Sequence, residues 1–464
     1  MNFLIVGESE INQPLRDELS RCGASVSIIP HLDDITRVSG EVGSFCVKTK
    51  RETITSNGII ITQPPELEDV IIDDAHTLEF NKGNALHKLM DADQAENIVI
   101  LLDYPSETPL YLTKKALSTA LSLESAHKHF VILSKFVKTA SNKMEELYRK
   151  AREKGVSFIK YERIKCAFSD GVFSVSVFDG VFTSEFKTPL LCCAGKEKPD
   201  VQNEIAKKFH LTKSGENQVS GSKYFLSPVL TSRKGIFYIH PDIEELQTGD
   251  TVKKIVPIIM GELEGINHPP GVYAEINAEK CAFCYSCFRV CTHAALAPDI
   301  ENNAMKCLES ACVGCGACAG ICPGQAIAIK SENRESITFL KHDMCKVFSC
   351  ENSVYPLLFN LADKLAKAGA KLDIEKMPCG GRVGQDMIAG ALADYDKIIL
   401  AVCMEDSCRH FVGDKRACKN AETLARTAEK IGLADKKIIC LKVSAAMEKV
   451  LLHDILTFLE ISSG

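Results

Sequence analysis

Short apolar runs alternate with amphipathic stretches along the first part of the chain, and this pattern predicts strands joined by helices. A buried strand at 3–6 is followed by a helix at 12–22 and by a second strand at 24–29. Later strands are predicted at 42–47, 57–63, 97–102 and 235–240, with a helix and a strand over 144–161. This βαβ order is typical of a Rossmann-type α/β fold.

The turn after the first strand lacks the glycine pattern of a dinucleotide site. A pyrophosphate is held where G-x-G-x-x-G opens a helix, because backbone N–H groups must approach it closely. Here the turn is Gly7-Glu-Ser-Glu-Ile-Asn12, with one glycine and two carboxylates. The predicted strand at 235–240 ends in the bulky His240. We therefore expect no flavin in this part of the chain.

The last 130 or so residues show the same alternation at a smaller scale. Strands are predicted at 337–340, 346–348, 371–375, 397–402 and 437–443, and helices at 353–368, 419–432 and 445–460. We expect an α/β domain with a mostly parallel sheet. Cys350, Cys379 and Cys403 follow predicted strand ends, and Cys408 follows Cys403 by C-x4-C. Because ligands gather at the carboxyl ends of parallel strands, these four thiols are candidate metal ligands.

Between these two parts lie two cysteine runs of identical spacing, C-x2-C-x2-C-x3-C. The first run is Cys281, Cys284, Cys287 and Cys291, and the second is Cys312, Cys315, Cys318 and Cys322. Glycines 314, 316 and 320 suit a tight loop around a metal cluster. Zinc and disulfides are the alternatives, but zinc sites take cysteines in pairs rather than in runs of four.

Composition and charge restrict the function further. The net charge is −6 without long charged blocks, which gives no support for nucleic-acid binding. The 21 cysteines are clustered as metal ligands are, which points to a reducing compartment. We recognise no signal peptide and no apolar run of about 20 residues, so we expect a cytoplasmic protein without direct membrane insertion.

The two runs closely resemble bacterial ferredoxins with two [4Fe–4S] clusters. In that family the fourth cysteine of each run binds the other cluster. The resemblance implies that Cys281, Cys284, Cys287 and Cys322 hold one cluster, and that Cys312, Cys315, Cys318 and Cys291 hold the other. Thr292 departs from the family, which has proline there. Cys307 is a thiol outside the pattern, with the alternative of a substitute ligand, and Arg289 is a candidate for tuning the first cluster.

Residues 1–268 resemble the flavin domain of the heterodisulfide reductase A subunit, a thioredoxin-reductase-like fold. The resemblance is carried by the order of strands and by the segment Met144–Tyr161. The family's extra cysteine-rich site is absent from Pro109–Ser118, and its flavin glycines are missing. The resemblance thus implies a degenerate domain, with an inserted unit at about 96–185.

Residues 336–464 resemble the delta subunit of methyl-viologen-reducing hydrogenase. The matching stretches include Pro378-Cys-Gly-Gly-Arg-Val383 and the segment 402–410. The resemblance implies one [2Fe–2S] cluster on Cys350, Cys379, Cys403 and Cys408, flanked by Arg382 and Arg409. Cys345 is the alternative first ligand. Cys418 and Cys440 are expected to be buried thiols.

Together these resemblances predict three domains, at 1–268, 269–335 (a small ferredoxin-like α+β domain) and 336–464. They imply an electron-transfer subunit of an anaerobe's heterodisulfide-reductase-like complex, which in some cases bifurcates electrons. Its partners would be a flavin-bearing homologue of the A type, subunits of the B and C type, and a hydrogenase or another dehydrogenase. No catalytic residues stand out. Two alternatives remain, a component of a membrane-associated quinone-interacting oxidoreductase and an FAD-binding flavoenzyme.

Overall fold

The structure is a computed structural model. It describes residues 1–68, 70, 77–79, 97–122, 129–139, 143–189, 191–213, 219, 229–243, 248–264, 272–330, 336–338, 345–405 and 407–461.

The first 61 residues build one half of the predicted Rossmann-type unit. Its elements are β1 (Asn2–Val6), α1 (Asn12–Arg21), β2 (Ser25–Ile29), β3 (Ile35–Glu41), β4 (Ser44–Thr49), β5 (Thr53–Ser56) and β6 (Gly58–Ile61). β6, β1 and β2 are parallel neighbours, while β3, β4 and β5 form an antiparallel sheet. Leu15 and Leu19 lie four residues apart on α1 and so share the face that is buried in the core.

A second parallel sheet follows. Its region contains β7 (Leu67–Glu68), β8 (Thr77–Glu79), β9 (Asn97–Leu101), α2 (Leu110–Ser122), β10 (His129–Ser134), α3 (Met144–Glu153), β11 (Ser157–Lys160), β12 (Arg163–Ser169), β13 (Val172–Phe178), β14 (Thr183–Thr188), β15 (Leu191–Cys193) and β16 (Lys196–Glu197). The parallel order is β11-β10-β9-β15-β8, and β12, β13 and β14 form an antiparallel sheet beside it. The inserted unit was predicted at about 96–185. β8 precedes this range and β15 follows it, so the sheet includes strands on both sides of the predicted unit.

The chain then returns to the first sheet. α4 (Pro199–Phe209) joins its core, β17 (Ile236–Tyr238) pairs parallel with β6, and α5 (Thr248–Glu264) packs near α1. Two parallel sheets, each with a three-stranded antiparallel companion, confirm the α/β Rossmann-type class that the alternating pattern predicts.

The cysteine runs lie in a small α+β unit. Its elements are β18 (Ala274–Ile276), α6 (Ser286–Val290), β19 (Leu296–Asp299), β20 (Ala304–Cys307), α7 (Ala317–Ile321) and β21 (Ile327–Ile329). β18 pairs with β21 and β19 with β20, both antiparallel. The core of this unit consists largely of small residues and cysteines, which leaves room beside the loops between the strands.

The last part has the predicted alternation of strands and helices. Its elements are β22 (Ser336–Thr338), β23 (Cys345–Cys350), α8 (Tyr355–Lys367), β24 (Leu372–Met377), α9 (Gln385–Asp394), β25 (Lys397–Val402), α10 (Gly413–Lys430), β26 (Lys437–Lys442) and α11 (Glu448–Leu459). The sheet order is β22-β24-β23-β25-β26, and all pairs except β22–β24 are parallel. α8 and α11 cover one face, and α9 and α10 cover the other.

The pattern located the strands of this sheet well but missed part of the helices. α10 begins at Gly413, six residues before the predicted start at 419, and α9 was not predicted. The missed first turn of α10 lies against the cysteines discussed below. None of the described helices is both long enough and apolar enough to cross a bilayer.

Candidate metal centres

Four cysteines of the C-terminal sheet converge at its carboxyl edge. Cys350 ends β23, Cys379 and Cys403 come shortly after β24 and β25, and Cys408 lies before α10. Each of the four is at most 8% exposed, and together they form a separate buried cluster. We call these four residues the tetrad. The structure therefore brings together all four ligands that the sequence predicts for the [2Fe–2S] site.

The sulfur atoms of the tetrad lie at distances that suit metal binding. Cys350 Sγ is 3.6 Å from Cys403 Sγ, and Cys379 Sγ is 3.9 Å from Cys408 Sγ. Two thiolates on one tetrahedral metal, with metal–sulfur bonds of about 2.3 Å, lie about 3.8 Å apart. The donor set thus fits two pairs of thiolates, as a [2Fe–2S] cluster requires, and it also fits a four-sulfur zinc site.

The four thiols of the tetrad shift one another's pKa values. The hydrogen bond with Cys403 lowers the pKa of Cys350, and the hydrogen bonds with Cys379 and Cys403 lower the pKa of Cys408. The same bonds raise the pKa of Cys403 and Cys379, and burial raises it further. Either sulfur can donate in the pairs Cys350–Cys403 and Cys379–Cys408. Metal binding would displace the protons that these thiols carry.

The backbone around the tetrad leaves no space for a larger residue at Gly413. A Cβ at this position would lie 2.2 Å from Cys379 Sγ and 3.0 Å from Cys408 Sγ. Gly413 is the first residue of α10, so the helix can begin directly against the sulfurs. The short 3-10 helix Gly380–Arg382 follows Cys379 and carries Arg382, which is buried. Arg409, the other predicted flanking cation, is exposed and donates to Asn352 Oδ1 (3.2 Å).

Cys345 does not reach the tetrad. It begins β23, whereas Cys350 ends it, so at ~3.3 Å per residue the two lie about 16 Å apart. Cys345 packs in the apolar core under α8, where burial raises its pKa to about 12. Cys350 is therefore the thiol of this strand that can join the site.

Cys418 and Cys440 form a disulfide rather than remaining free buried thiols. The bond corrects the sequence-based expectation of free thiols. Both residues are also only partly buried, not buried as expected. The bond joins α10 to β26. Their separation of 22 residues gave no local signal of pairing, because the two elements become neighbours only through the sheet topology.

The loops of the two cysteine runs share a positive φ at two equivalent positions although their sequences differ. Gly314 and Gly316 have φ of +66° and +78°, which confirms the need for glycine predicted in the second loop. At the equivalent places in the first loop, Phe283 and Tyr285 take φ of +49° and +61°. Such values are rare for bulky residues, so the first loop is held in place by its surroundings.

The loops bring the first predicted set of ligands together. Cys281, Cys284, Cys287 and Cys322 line a common small cavity, although Cys322 belongs to the second run. Burial raises the pKa of Cys287, and the charges of Cys281, Cys322 and Cys284 raise it further. Arg289 donates through Nη2 to the carbonyl of Cys284 (2.8 Å), so this cation lies beside the first loop while remaining exposed.

The second predicted set also converges. Burial raises the pKa of Cys318, and the neighbouring charges of Cys315, Cys291 and Cys312 add to this effect. Cys307 lies next to Cys312, where its thiol hydrogen bond raises its own pKa and lowers that of Cys312. Cys307 is thus placed beside this set. The chemistry of both donor sets fits four-iron clusters bound by thiolates.

The second set of cysteines lies next to the tetrad, at the boundary between the small α+β unit and the C-terminal part. Cys315 packs against the tetrad. This approach is close because Gly316 and Gly320 face Arg382: a Cβ on Gly316 would lie 2.4 Å from Arg382 Cδ, and one on Gly320 would lie 2.7 Å from the Arg382 carbonyl oxygen. These glycines therefore serve the contact between the two cysteine sets as well as the loop.

Sequence analysis missed two buried histidines at this contact. His293 Nδ1 donates to the carbonyl of Ser232 (2.9 Å), so in the neutral ring His293 Nε2 accepts from His410 Nδ1 (3.1 Å). Burial is the main cause that lowers the pKa of both rings to about 4. Ring nitrogens of both and Cys315 Sγ lie within 4.8 Å of one another. The available signal was their position, each two residues after an assigned cysteine.

The chain's own side chains and backbone crowd the end of the first sheet, where the flavin glycines are missing from the sequence. Asn12 Nδ2 donates to the Gly7 carbonyl (2.8 Å), which closes the turn where a pyrophosphate would approach. A Cβ on Gly7 would lie 2.3 Å from Gln63 N, so the segment that follows β6 also crowds this turn. His240 is buried at the end of β17, 3.3 Å from Glu197 and 3.5 Å from Asp242. A polar cluster of the chain itself thus occupies this edge.

Comparisons with known proteins find relatives for the C-terminal part and for about two thirds of the chain. Residues 346–462 match the family described as methyl-viologen-reducing hydrogenase, delta subunit. The A subunit of the Ferredoxin/F(420)H(2)-dependent CoB-CoM heterodisulfide reductase of Methanosarcina acetivorans is 23% identical over 332 residues, which cover 67% of this chain and 41% of that protein. The archaeal-type glutamate synthase [NADPH] of Thermotoga maritima is 35% identical over 65 residues, 14% of this chain and 13% of that one.

The chain spans less than half the length of these curated relatives. Among solved structures, the thioredoxin reductase of T. acidophilum matches with a TM-score of 0.39 and 12% identity, over 57% of this chain and 98% of that one. The chain therefore carries a C-terminal domain of the methyl-viologen-reducing hydrogenase delta-subunit family and is similar to the heterodisulfide reductase A subunit over two thirds of its length.

Proposed function

We propose that this protein is an iron–sulfur electron-transfer subunit of a heterodisulfide-reductase-like complex. Cys281, Cys284, Cys287 and Cys322 would hold one [4Fe–4S] cluster, and Cys291, Cys312, Cys315 and Cys318 a second. The tetrad would hold a [2Fe–2S] cluster. Bound clusters supply one-electron transfer, and the chain itself carries out no bond-making chemistry.

The observation that carries this proposal is the contact between Cys315 and the tetrad. Three sets of thiols from two parts of the chain are arranged one after another, with Cys315 at the boundary. Three independent structural metal sites would not need to lie next to one another. An electron relay needs this arrangement, because electrons then cross the molecule between neighbouring centres.

Residues around this contact support the relay. The aliphatic stem of the buried Arg382 packs against Gly316, and its guanidinium donates to Met387 Sδ (3.2 Å). A cation this close to the cysteine sets would stabilise the more negative, reduced state of a bound cluster. Burial lowers the pKa of His293 and His410 to about 4, so these two rings add no positive charge to the boundary at pH 7. They line a cavity of about 290 Å³ that Arg409 also lines.

The partners follow from the two similarities. We propose that the C-terminal domain exchanges electrons with a hydrogenase or another dehydrogenase, and that a flavin-bearing homologue of the A type accepts or supplies them at the other end. Subunits of the B and C type would complete the complex, in which electron bifurcation would take place on the flavin of the partner. The N-terminal part of this chain, for which we propose no flavin, would serve as a docking surface.

The Cys403→Ser variant tests the relay. We expect it to abolish the two-iron EPR signal of the anaerobically loaded protein and to leave both four-iron signals in place, because Cys403 belongs to the tetrad alone. In the wild type, the spins of the second four-iron centre and of the two-iron centre should couple, since Cys315 lies against the tetrad. That coupling should vanish in the variant.

Cys345→Ser is the matched control. It removes a cysteine from the same strand but from the opposite end of it, so all signals should remain. Loss of every cluster in Cys403→Ser would show that the three sites are not separate. Zinc in place of iron in the wild type would contradict the proposed function.

We also infer that the chain itself binds no flavin. Acid extraction of the purified chain, followed by fluorescence measurement of the supernatant, should release none. Stoichiometric FAD would overturn this inference and make the chain itself a candidate site of bifurcation.

A further inference from the structure

A groove of about 630 Å³ runs between the second ferredoxin loop and the start of α10. The volume of this groove lies in the range of small-molecule sites. The groove is open to the surface and has two distinct walls. The wall on the ferredoxin side is made by residues Gly320, Ile321, Cys322 and Pro323, and the wall on the α10 side by Val412, Lys415, Arg416, Lys419 and Asn420.

The α10 wall is positively charged although the whole chain has a net charge of −6. Lys415 and Lys419 are four residues apart on α10, so their exposed side chains share one face of the helix. Arg416 lies beside them and also lines the groove. Asp386 is the one carboxylate among the described lining residues, and Gln325 Nε2 lies 3.5 Å from its Oδ2. The groove therefore has a cationic excess.

Arg416 points to an anionic group that comes from outside. Its side chain is half-buried, and burial lowers the pKa of its guanidinium. Among the described residues no carboxylate forms an ion pair with it. A partly buried cation without a counter-charge is unfavourable, and a carboxylate placed over it would relieve that cost.

The ferredoxin-side wall of the groove, opposite these cations, contains a predicted cluster ligand. Cys322 is assigned to the first cluster set, with Cys281, Cys284 and Cys287, and it lines the groove. The second set faces the tetrad, so the first set is the outer end of the series. A molecule bound in the groove would lie next to that outer end.

We propose that the groove docks a small acidic electron-carrier protein, with carboxylates of the carrier over Arg416 and Lys419 and its redox centre beside Cys322. This inference rests on the proposed function. Cys281, Cys284, Cys287 and Cys322 would hold a cluster able to accept one electron, so the reduced carrier would be oxidised by one electron and the cluster reduced by one, with no bond or proton transferred. A small anion would meet Arg416 but would make no use of the Cys322 wall.

The test compares two double charge reversals on the same helix in the full, cluster-loaded chain. Arg416→Glu with Lys419→Glu reverses the groove, and Arg426→Glu with Lys430→Glu reverses two exposed charges further along α10. A reduced, acidic ferredoxin with two [4Fe–4S] clusters is the probe, and stopped-flow absorbance gives its second-order rate constant.

At low ionic strength the groove variant should react at least about tenfold more slowly than the wild type, because electrostatic steering is lost. The wild-type rate should fall steeply with added salt, whereas the variant should respond little. The distal variant should retain the wild-type rate. Titanium(III) citrate, which needs no docking site, should reduce all three proteins equally.

Equal rates for the groove variant and the wild type, or an equal loss in the distal variant, would overturn the docking proposal. Binding of inorganic phosphate that requires Arg416, without any effect of the reversal on the ferredoxin rate, would assign the groove to a small anion instead. If the double reversal prevents iron loading, Arg416→Gln with Lys419→Gln replaces it, with a smaller decrease expected.

The two proposals fail in different ways. A wild-type chain without iron would overturn both. A chain that loads all its clusters and is reduced throughout by titanium(III) citrate, but is indifferent to the charge reversal, would refute docking at the groove and leave the relay intact.

Discussion

Gly413 is the residue on which the geometry of the tetrad depends most directly. Four thiols can approach within metal-binding distance only if the surrounding backbone is close, and α10 begins against the sulfurs of Cys379 and Cys408. Any side chain at Gly413 would occupy the volume of a ligand. The cysteines supply the chemistry of the site, and this glycine supplies its space.

Gly413→Ala should therefore impair the tetrad without removing a ligand. The added Cβ would lie 2.2 Å from Cys379 Sγ, so that the thiol or the start of the helix must shift. We expect the variant to lose most of its two-iron EPR signal and to keep the four-iron signals. Iron analysis together with EPR of anaerobically loaded protein measures this.

Gly390→Ala is the matched control for this substitution. Gly390 lies inside α9, and an added Cβ there meets nothing within 4 Å. Alanine in a helix interior should stabilise the domain by about 0.5–1 kcal/mol and leave all clusters in place. A wild-type two-iron signal in Gly413→Ala would show that the tetrad tolerates a shift of Cys379.

At the scale of elements, the disulfide ties α10 to the edge strand β26. β26 pairs with β25 on one side only, so its position depends on α10 and on this bond. A cross-link stabilises mainly by restricting the unfolded chain. The bond therefore supports the helix whose first turn encloses the tetrad.

Cys418→Ser should lower the stability of the C-terminal domain by about 3 kcal/mol, the usual magnitude for a loop of this size. Chemical denaturation of the oxidised proteins, followed by circular dichroism, gives the difference. Cys440→Ser should have the same effect, and the double variant should add nothing further. If the single variants equal the wild type, the bond makes no contribution in solution.

A largely buried charged cluster lies at the carboxyl edge of the first sheet, just after β17, and is formed by His240, Glu197 and Asp242. Burial acts to lower the pKa of His240, but Asp242 and then Glu197 outweigh it and raise the pKa to about 9. Because the pKa is raised above the unfolded value of about 6.5, protonated His240 contributes stability that is fully present below pH 6.5. That contribution is lost as the pH rises through about 9.

His240→Gln should remove this pH dependence. Below pH 6.5 the variant should melt several degrees lower than the wild type, because Glu197 and Asp242 lose their cationic partner. The difference should shrink as the pH rises from about 6.5 to 9. Thermal unfolding at a series of pH values checks this, and a constant difference across the range would contradict the assignment.

At the scale of the whole molecule, the three parts of the chain meet at His293. Its ring contacts Ser232 from the N-terminal part and His410 from the C-terminal part, and Thr292 Oγ1 also donates to the His410 carbonyl (3.3 Å). Thr292 directly follows the last cysteine of the first run, so this hydrogen bond ties that run to the C-terminal part.

The fully loaded molecule should contain about ten iron atoms per chain, from two four-iron centres and one two-iron centre. The expectation rests on the twelve cysteines that the structure arranges in three sets. Anaerobic iron and acid-labile sulfide analysis checks it. A value of about eight or less in fully loaded protein would remove the centre at the tetrad.

The classes of element and the spacing of the cysteine runs could be read directly from the amino-acid sequence. Local periodicity sets whether a segment forms a strand or a helix, so the parallel sheet and its cysteines at the strand ends could be predicted. The positive φ at Gly314 and Gly316 followed from residue type, whereas the same conformation at Phe283 and Tyr285 did not. In that loop, the surroundings override the local preference.

Several contacts between residues distant in sequence depended instead on the three-dimensional packing. Cys345 and Cys350 lie on one strand, and the direction of that strand in the sheet places the second at the tetrad and the first in the core. Cys315 beside the tetrad, the pair His293–His410 and the bond Cys418–Cys440 likewise depend on how separate elements pack. Local sequence patterns carry no information about such distances, because these are fixed by the burial of whole surfaces against one another.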